Sequence, residues 1–176
     1  MSEAGFFQSR SALIGSDVIW PSRWANQPVP ERQWLVEGLI PDRNVTMLSG
    51  DGGVGKTLLS LQLAVACALG RQWLGIPTKP VKVLVLACED DEDELHRRIL
   101  AILELYGASP GDLEDRLVII SRVGLDSGLM RWEGPYEPGS ETTLYSRILN
   151  LATNEGFQLI VLDSLHDLFA GNENSR

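Results

Sequence analysis

The stretch "GDGGVGKT", Gly50 to Thr57, fits the pattern G-x-x-x-x-G-K-[S/T] and constrains the fold more than any other feature of the chain. Such a loop works only between a strand and a helix. Its glycines let backbone N–H groups turn inward around phosphate oxygens, and the helix that follows adds the positive end of its dipole. Lys56 is then expected to reach the β- and γ-phosphates of a nucleotide, and the Thr57 hydroxyl to ligate Mg²⁺. The bland alternative is a glycine-rich turn that merely caps a helix. At average composition the four fixed positions coincide by chance in roughly one such chain in a hundred or fewer. The expected nucleotide-binding segment is Gly50, Asp51, Gly52, Gly53, Val54, Gly55, Lys56, Thr57 and Leu58, with ATP and Mg²⁺ as cofactors.

The flanking sequence supplies the context. "VTMLSG" (residues 45–50) is a short apolar run ending on glycine and reads as a strand. Residues 57–69 are apolar nearly all round and stop at Gly70, which predicts a buried helix with a glycine C-cap. "KVLVLAC" (82–88), "LVIIS" (117–121) and "QLIVLDS" (158–164) read as three more strands. Between them, residues 91–106 carry Leu95, Ile99, Ile102, Leu103 and Tyr106 at helical spacing, closed by Gly107, and residues 143–154 form another helical stretch. Residues 122–140, rich in Gly and Pro, predict a long loop. Near-continuous apolar strands are those buried on both faces, and helices between them imply parallel crossovers. The expected class is α/β, a doubly wound, mostly parallel sheet. Residues 1–33, with Trp20, Pro21, Trp24, Pro28 and Pro30 but no sustained period, read as an N-terminal arm; residues 34–176 read as the core.

Two carboxylates stand where such a site needs them. "LIVLD" puts Asp163 at the end of a strand, a Walker-B pattern that holds Mg²⁺ through its water shell; alone, an Asp there is more often a turn former. The other lies in "VLVLACEDDEDELHRR", where six acidic residues follow Cys88 without a break. Most of that run has a structural explanation: Asp91 is placed to N-cap a helix, Glu94 sits at the capping-box position, and Glu92 and Asp93 complement the helix dipole. Glu89 precedes the cap, at the sheet edge where ligands bind in parallel sheets. It is the candidate catalytic base that aligns water against the γ-phosphate, weighed against a merely solvated carboxylate. Asp90 receives no role, and His96 reads as a solvated helix residue.

Composition excludes some classes. The net charge of −9 speaks against a protein that binds nucleic acid over a whole basic face. The two cysteines, Cys67 and Cys88, lie in apolar runs and fit buried thiols in a reducing compartment. The start "MSEAGFFQSR" lacks the features of a signal peptide, and the longest apolar stretch, 58–69, is too short to span a bilayer; a cytoplasmic location without membrane contact is the default.

"WLVEGLIPDRNVTMLSGDGGVGKTLLSLQLA", "VLVLACEDDEDELHRRI" and "LIVLDSLHDLFAGNENSR" together resemble the RepA-like ATPases, RecA-fold proteins of plasmids, phages and prophages related to hexameric replicative helicases. The likeness covers about residues 31–176. It implies ATP hydrolysis carried by Lys56, Thr57, Glu89 and Asp163, a homo-oligomeric ring, a hexamer by resemblance, and single-stranded DNA as partner. It also implies that the segment after Asp163, with His166, Asn172, Glu173 and Asn174, approaches a neighbouring subunit or the channel; a polar surface loop is the alternative. Partitioning ATPases of the ParA and MinD kind share "GGVGKT" but carry a signature lysine where this chain has Asp51. In RecA-like sheets a further strand with a polar sensor, and later an arginine finger, follow the Walker-B strand. The sequence stops short of both, so it is expected to be an N-terminal portion that is unstable and poorly active alone. Two other functions fit the same motifs: a RecA-fold remodelling or regulatory ATPase that does not translocate, and a nucleotide-binding fragment without turnover.

Overall fold

The computed structural model describes residues 18–132 and 139–169. The chain divides into two compact units, Met1–Arg32 and Gln33–Arg176. In the first, the described residues form one 3₁₀ turn, Pro21–Trp24, started by a proline whose missing N–H costs nothing there.

The second unit is built on three parallel strands: β3 (Val83–Ala87) in the middle, β4 (Leu117–Ser121) on one side and β7 (Leu159–Asp163) on the other. All five residues of β3 are buried, which the unbroken apolar run required. Alternation divides them between two cores. Val83, Val85 and Ala87 pack with α1 (Lys56–Leu69) and with Leu95, Ile102 and Leu103 of α2 (Glu92–Tyr106). Leu84 and Leu86 point the other way, onto Ile148 of α3 (Thr143–Glu155), Leu129 and Leu168. Helices thus cover both faces, as expected of a doubly wound α/β sheet. Each fully buried leucine on β3 contributes about 1.5–3 kcal/mol of transfer free energy.

Helix α1 is buried almost all round because it lies between the sheet, α2 and a small hairpin. That hairpin, β1 (Trp34–Val36) and β2 (Ile40–Pro41), was not legible in the sequence, since strands of two or three residues carry no period. It inserts Leu35 and Val36 into the α1 core, and the backbone N–H of Lys79 donates to Leu35 O at 2.8 Å. A second short pair, β5 (Met130–Arg131) with β6 (Ser140–Glu141), lies inside the stretch expected to be loop. Beside it, Leu129 is buried and its N–H donates to Leu168 O at 2.8 Å, in the short helix α4 (Leu165–Leu168).

One predicted strand is absent. Residues 45–50 form no strand, and Val45 and Met47 are 99% and 70% exposed. A strand is stable only when a neighbour takes up its N–H and C=O groups. The sheet runs β4-β3-β7, and among the described residues nothing pairs with the outer edge of β7 or with residues 45–50. The face of β7 is correspondingly half open, Ile160 being 41% exposed. An apolar run alone therefore did not suffice.

Cys67 is fully buried in α1, and burial pushes its thiol pKa up to about 12. Native protein at pH 8 should leave Cys67 unalkylated by iodoacetamide, with full labelling only in denaturant. Mass spectrometry of the labelled peptides checks this, and rapid native labelling would contradict the packing of α1.

Candidate active site

The backbone first sets where the phosphate loop lies. Val81 N–H donates to Cys67 O at 3.1 Å, so the C-terminal end of α1 sits beside the start of β3. From there helix and strand run in opposite directions. From Cys67 back to Lys56 the helix spans about 17 Å at 1.5 Å per residue, and from Val81 to Ala87 the chain spans about 20 Å when extended. Lys56, at the start of α1, therefore arrives level with the end of β3, the carboxyl edge of the sheet where α/β proteins bind ligands.

The loop itself has the conformation its glycines allow. Gly53 and Gly55 have φ of 75° and 91°, left-handed values that cost other residues about 1–2 kcal/mol each. Gly55 is the N-cap of α1, and no side chain caps that end, so its first-turn amides are left for an anion. Lys56 folds back over the loop, its Nζ donating to Gly50 O at 2.8 Å and Asp51 O at 2.7 Å. Asp51, Gly52, Val54 and Leu58 are exposed, and Thr57 is half-buried in the first turn of α1.

The carboxylates meet at the same edge. β3 and β7 pair residue for residue, Ala87 opposite Asp163, and Cys88 N–H extends the ladder by donating to Asp163 O at 2.7 Å. Glu89, the next residue, is exposed and makes no hydrogen bond among the described residues. The bond from Asp163 to Ser164 is cis, and the Ser164 hydroxyl donates to Asp167 Oδ2 at 2.5 Å.

The acidic run resolves largely as its helix position required. Asp91 is the N-cap of α2, its Oδ1 accepting from Glu94 N–H at 2.8 Å. The reciprocal arm of a capping box is not made. Glu94 turns instead to Arg97 and Arg98, accepting at 2.9 and 2.7 Å, because two guanidinium groups one turn along outbid a single amide. Those arginines hold its carboxyl below the usual range. Asp90 is half-buried; burial pushes its carboxyl up, Arg98 opposes that, and the nearby Glu94, Asp163 and Glu89 reinforce it. Sequence reasoning missed Asp90, Arg98 and Ser121 as members of this edge. The 4-residue spacing of Glu94 and Arg98 was the available signal.

The donor set suits a hard cation shared with phosphate. Thr57 and Asp163 offer oxygen, and among the described residues no group of three or more His, Cys, Asp or Glu lies together to build a protein-only cage. Mg²⁺ is commonly bound by so few protein oxygens, with phosphates and water completing its shell. His96 and His166 are exposed, and Asn172, Glu173 and Asn174 lie outside the described residues.

A family model described as an AAA domain matches residues 9–176. The chain belongs to the AAA domain family. This AAA domain is accordingly a nucleotide-binding ATPase of P-loop type, with the parallel sheet and flanking helices of a RecA-like fold. Comparison with curated proteins finds no match to it. Among the described residues of the AAA domain no helix is long and apolar enough to cross a membrane.

Proposed function

We propose that the AAA domain hydrolyses Mg-ATP as part of a RepA-like ring ATPase, a replication helicase of plasmid or phage type that moves on single-stranded DNA. The observation that carries the hydrolytic reading is the shared edge. Asp163 ends β7 opposite Ala87, Glu89 follows β3 two residues later at the same carboxyl edge, and α1 starts with Lys56 toward that edge.

In this reading Lys56 leaves its loop carbonyls for the β- and γ-phosphates, and the first-turn amides of α1 hold the remaining phosphate oxygens. Thr57 and Asp163 would hold Mg²⁺, which neutralises charge on the phosphates when bound. Glu89 orients the attacking water and takes its proton; without a hydrogen-bond partner among the described residues, its carboxylate is available to do so. The homo-oligomeric hexameric ring, the single-stranded DNA partner and a cytoplasmic setting come with the resemblance to RepA-like proteins. The 34–176 span as catalytic core, with residues 1–33 as an arm, is part of the same proposal.

The net charge of −9 favours one competing reading, a RecA-fold remodelling or regulatory ATPase without translocation. ATP turnover by the full-length protein in Mg²⁺, with and without single-stranded DNA, separates them. A severalfold stimulation by DNA is expected. Turnover indifferent to DNA would support the remodelling ATPase. ATP binding without turnover would leave only a nucleotide-binding module.

A further inference from the structure

The peptide that carries Glu89 is fixed at both ends. On the strand side, Ala87 O accepts from Arg122 N–H at 2.8 Å, and Cys88 N–H donates to Asp163 O at 2.7 Å. On the helix side, Asp90 is held twice. Its carbonyl accepts from the Ser121 hydroxyl at 3.1 Å, and its carboxylate accepts from Arg98 Nη1 at 2.7 Å. Arg98 is itself anchored, donating from Nε to Glu94 Oε1 at 2.7 Å, and Glu94 is also bonded to Arg97. Asp91, the next residue, caps α2. Glu89 is the one residue between these bolts with no bond of its own among the described residues.

Burial makes the Arg98–Asp90 pair more than a surface contact. The Asp90 side chain is 13% exposed and that of Arg98 28%. Removing one partner of such a pair leaves a poorly solvated charge. The guanidinium suits the task because its planar fork can bond Asp90 and Glu94 at once, which an ammonium does less rigidly. Neither group is needed to start the helix, since Asp91 does that. The pair ties the helix, nearly two turns in, to the residue following the candidate base.

We propose that Arg98 is a positioning residue for ATP hydrolysis, acting through Asp90 to hold the Glu89 peptide at the carboxyl edge of the sheet. This rests on the reading of Glu89 as the base. Positional error of about 1 Å at a catalytic group is enough to cost on the order of 100-fold in rate, so loss of the bolt should appear in kcat and not in nucleotide affinity. Arg98 lies in α2, whereas the amides and lysine assigned to phosphate belong to the loop before α1 and to its first turn.

The test compares Arg98→Ala, Arg98→Lys, Glu89→Gln and the double variant Arg98→Ala/Glu89→Gln in the full-length protein. Steady-state kcat and KM for ATP, titration with a fluorescent ATP analogue and thermal melting are read on each. The expected result for Arg98→Ala is a kcat lowered about tenfold or more, with analogue affinity little changed, melting lowered by the orphaned Asp90 charge, and partial recovery in Arg98→Lys. In the Glu89→Gln background the Arg98→Ala change should add nothing, because the group it positions is already gone. An unchanged kcat in Arg98→Ala would overturn the proposal while leaving Glu89 as base intact. So would a loss that adds fully to that of Glu89→Gln, or one matched by an equal loss of analogue affinity, which marks a structural role. Full turnover in Glu89→Gln alone would remove the base and the positioning role together.

Discussion

Replacing Glu89 by Gln is expected to lower ATP turnover by about 10²- to 10⁴-fold, the usual contribution of a positioned general base. ATP affinity should hardly move. The amide keeps the shape of the carboxylate and an acceptor oxygen but cannot take a proton at neutral pH. Glu89 is exposed and bonded to nothing else among the described residues, so the change should not alter melting either. Single-turnover kinetics together with analogue titration in the full-length protein separate chemistry from binding. Persistent turnover would move the base elsewhere, and Asp90, whose carboxyl burial already pushes up, would be the first residue to examine.

Lys56→Ala should give the opposite division. The ammonium now bonded to Gly50 O and Asp51 O is the only cation in the segment Gly50–Thr57. A hydrogen bond involving a charged group is worth about 1.5–3 kcal/mol, and each 1.4 kcal/mol is tenfold in affinity. Loss of about 10- to 100-fold in ATP affinity is expected by calorimetric titration, with turnover lost as well. Lys56→Arg should not restore it, since a planar fork cannot take the place of a compact ammonium inside a tight loop. Wild-type affinity in Lys56→Ala would refute the phosphate role of the loop.

Much of this arrangement could be read directly from residue order. The unbroken runs 82–88, 117–121 and 158–164 became the three strands, although only β3 is buried on both faces while β4 and β7 stay partly exposed, and Gly70 and Gly107 ended α1 and α2 in left-handed conformations. Asp91 capped α2 as its side-chain chemistry dictates. What failed depended on partners that sequence does not show. Residues 45–50 have the composition of a strand but no pairing neighbour among the described residues, and the two-residue strands β5 and β6 pair with each other. Glu94 looked like half of a capping box, yet competing cations decided its bond. The P-loop and both carboxylates were legible as motifs; that Glu89 and Asp163 lie at the ends of adjacent strands, Ala87 being the residue opposite Asp163, required the topology.

Helix α1 is anchored at its far end beside the start of β3, and this has a consequence for how such a protein can vary. Loops at the carboxyl edge of the sheet can lengthen freely, because they leave from strand ends and return elsewhere. No such latitude exists between Gly55 and Gly70. One residue added or removed there would turn the phosphate loop by about 100° and shift it by about 1.5 Å relative to the carboxylates. The interior of α1 acts as a fixed spacer, so drift in this sequence should appear as substitution within α1 and as insertion only beyond its ends.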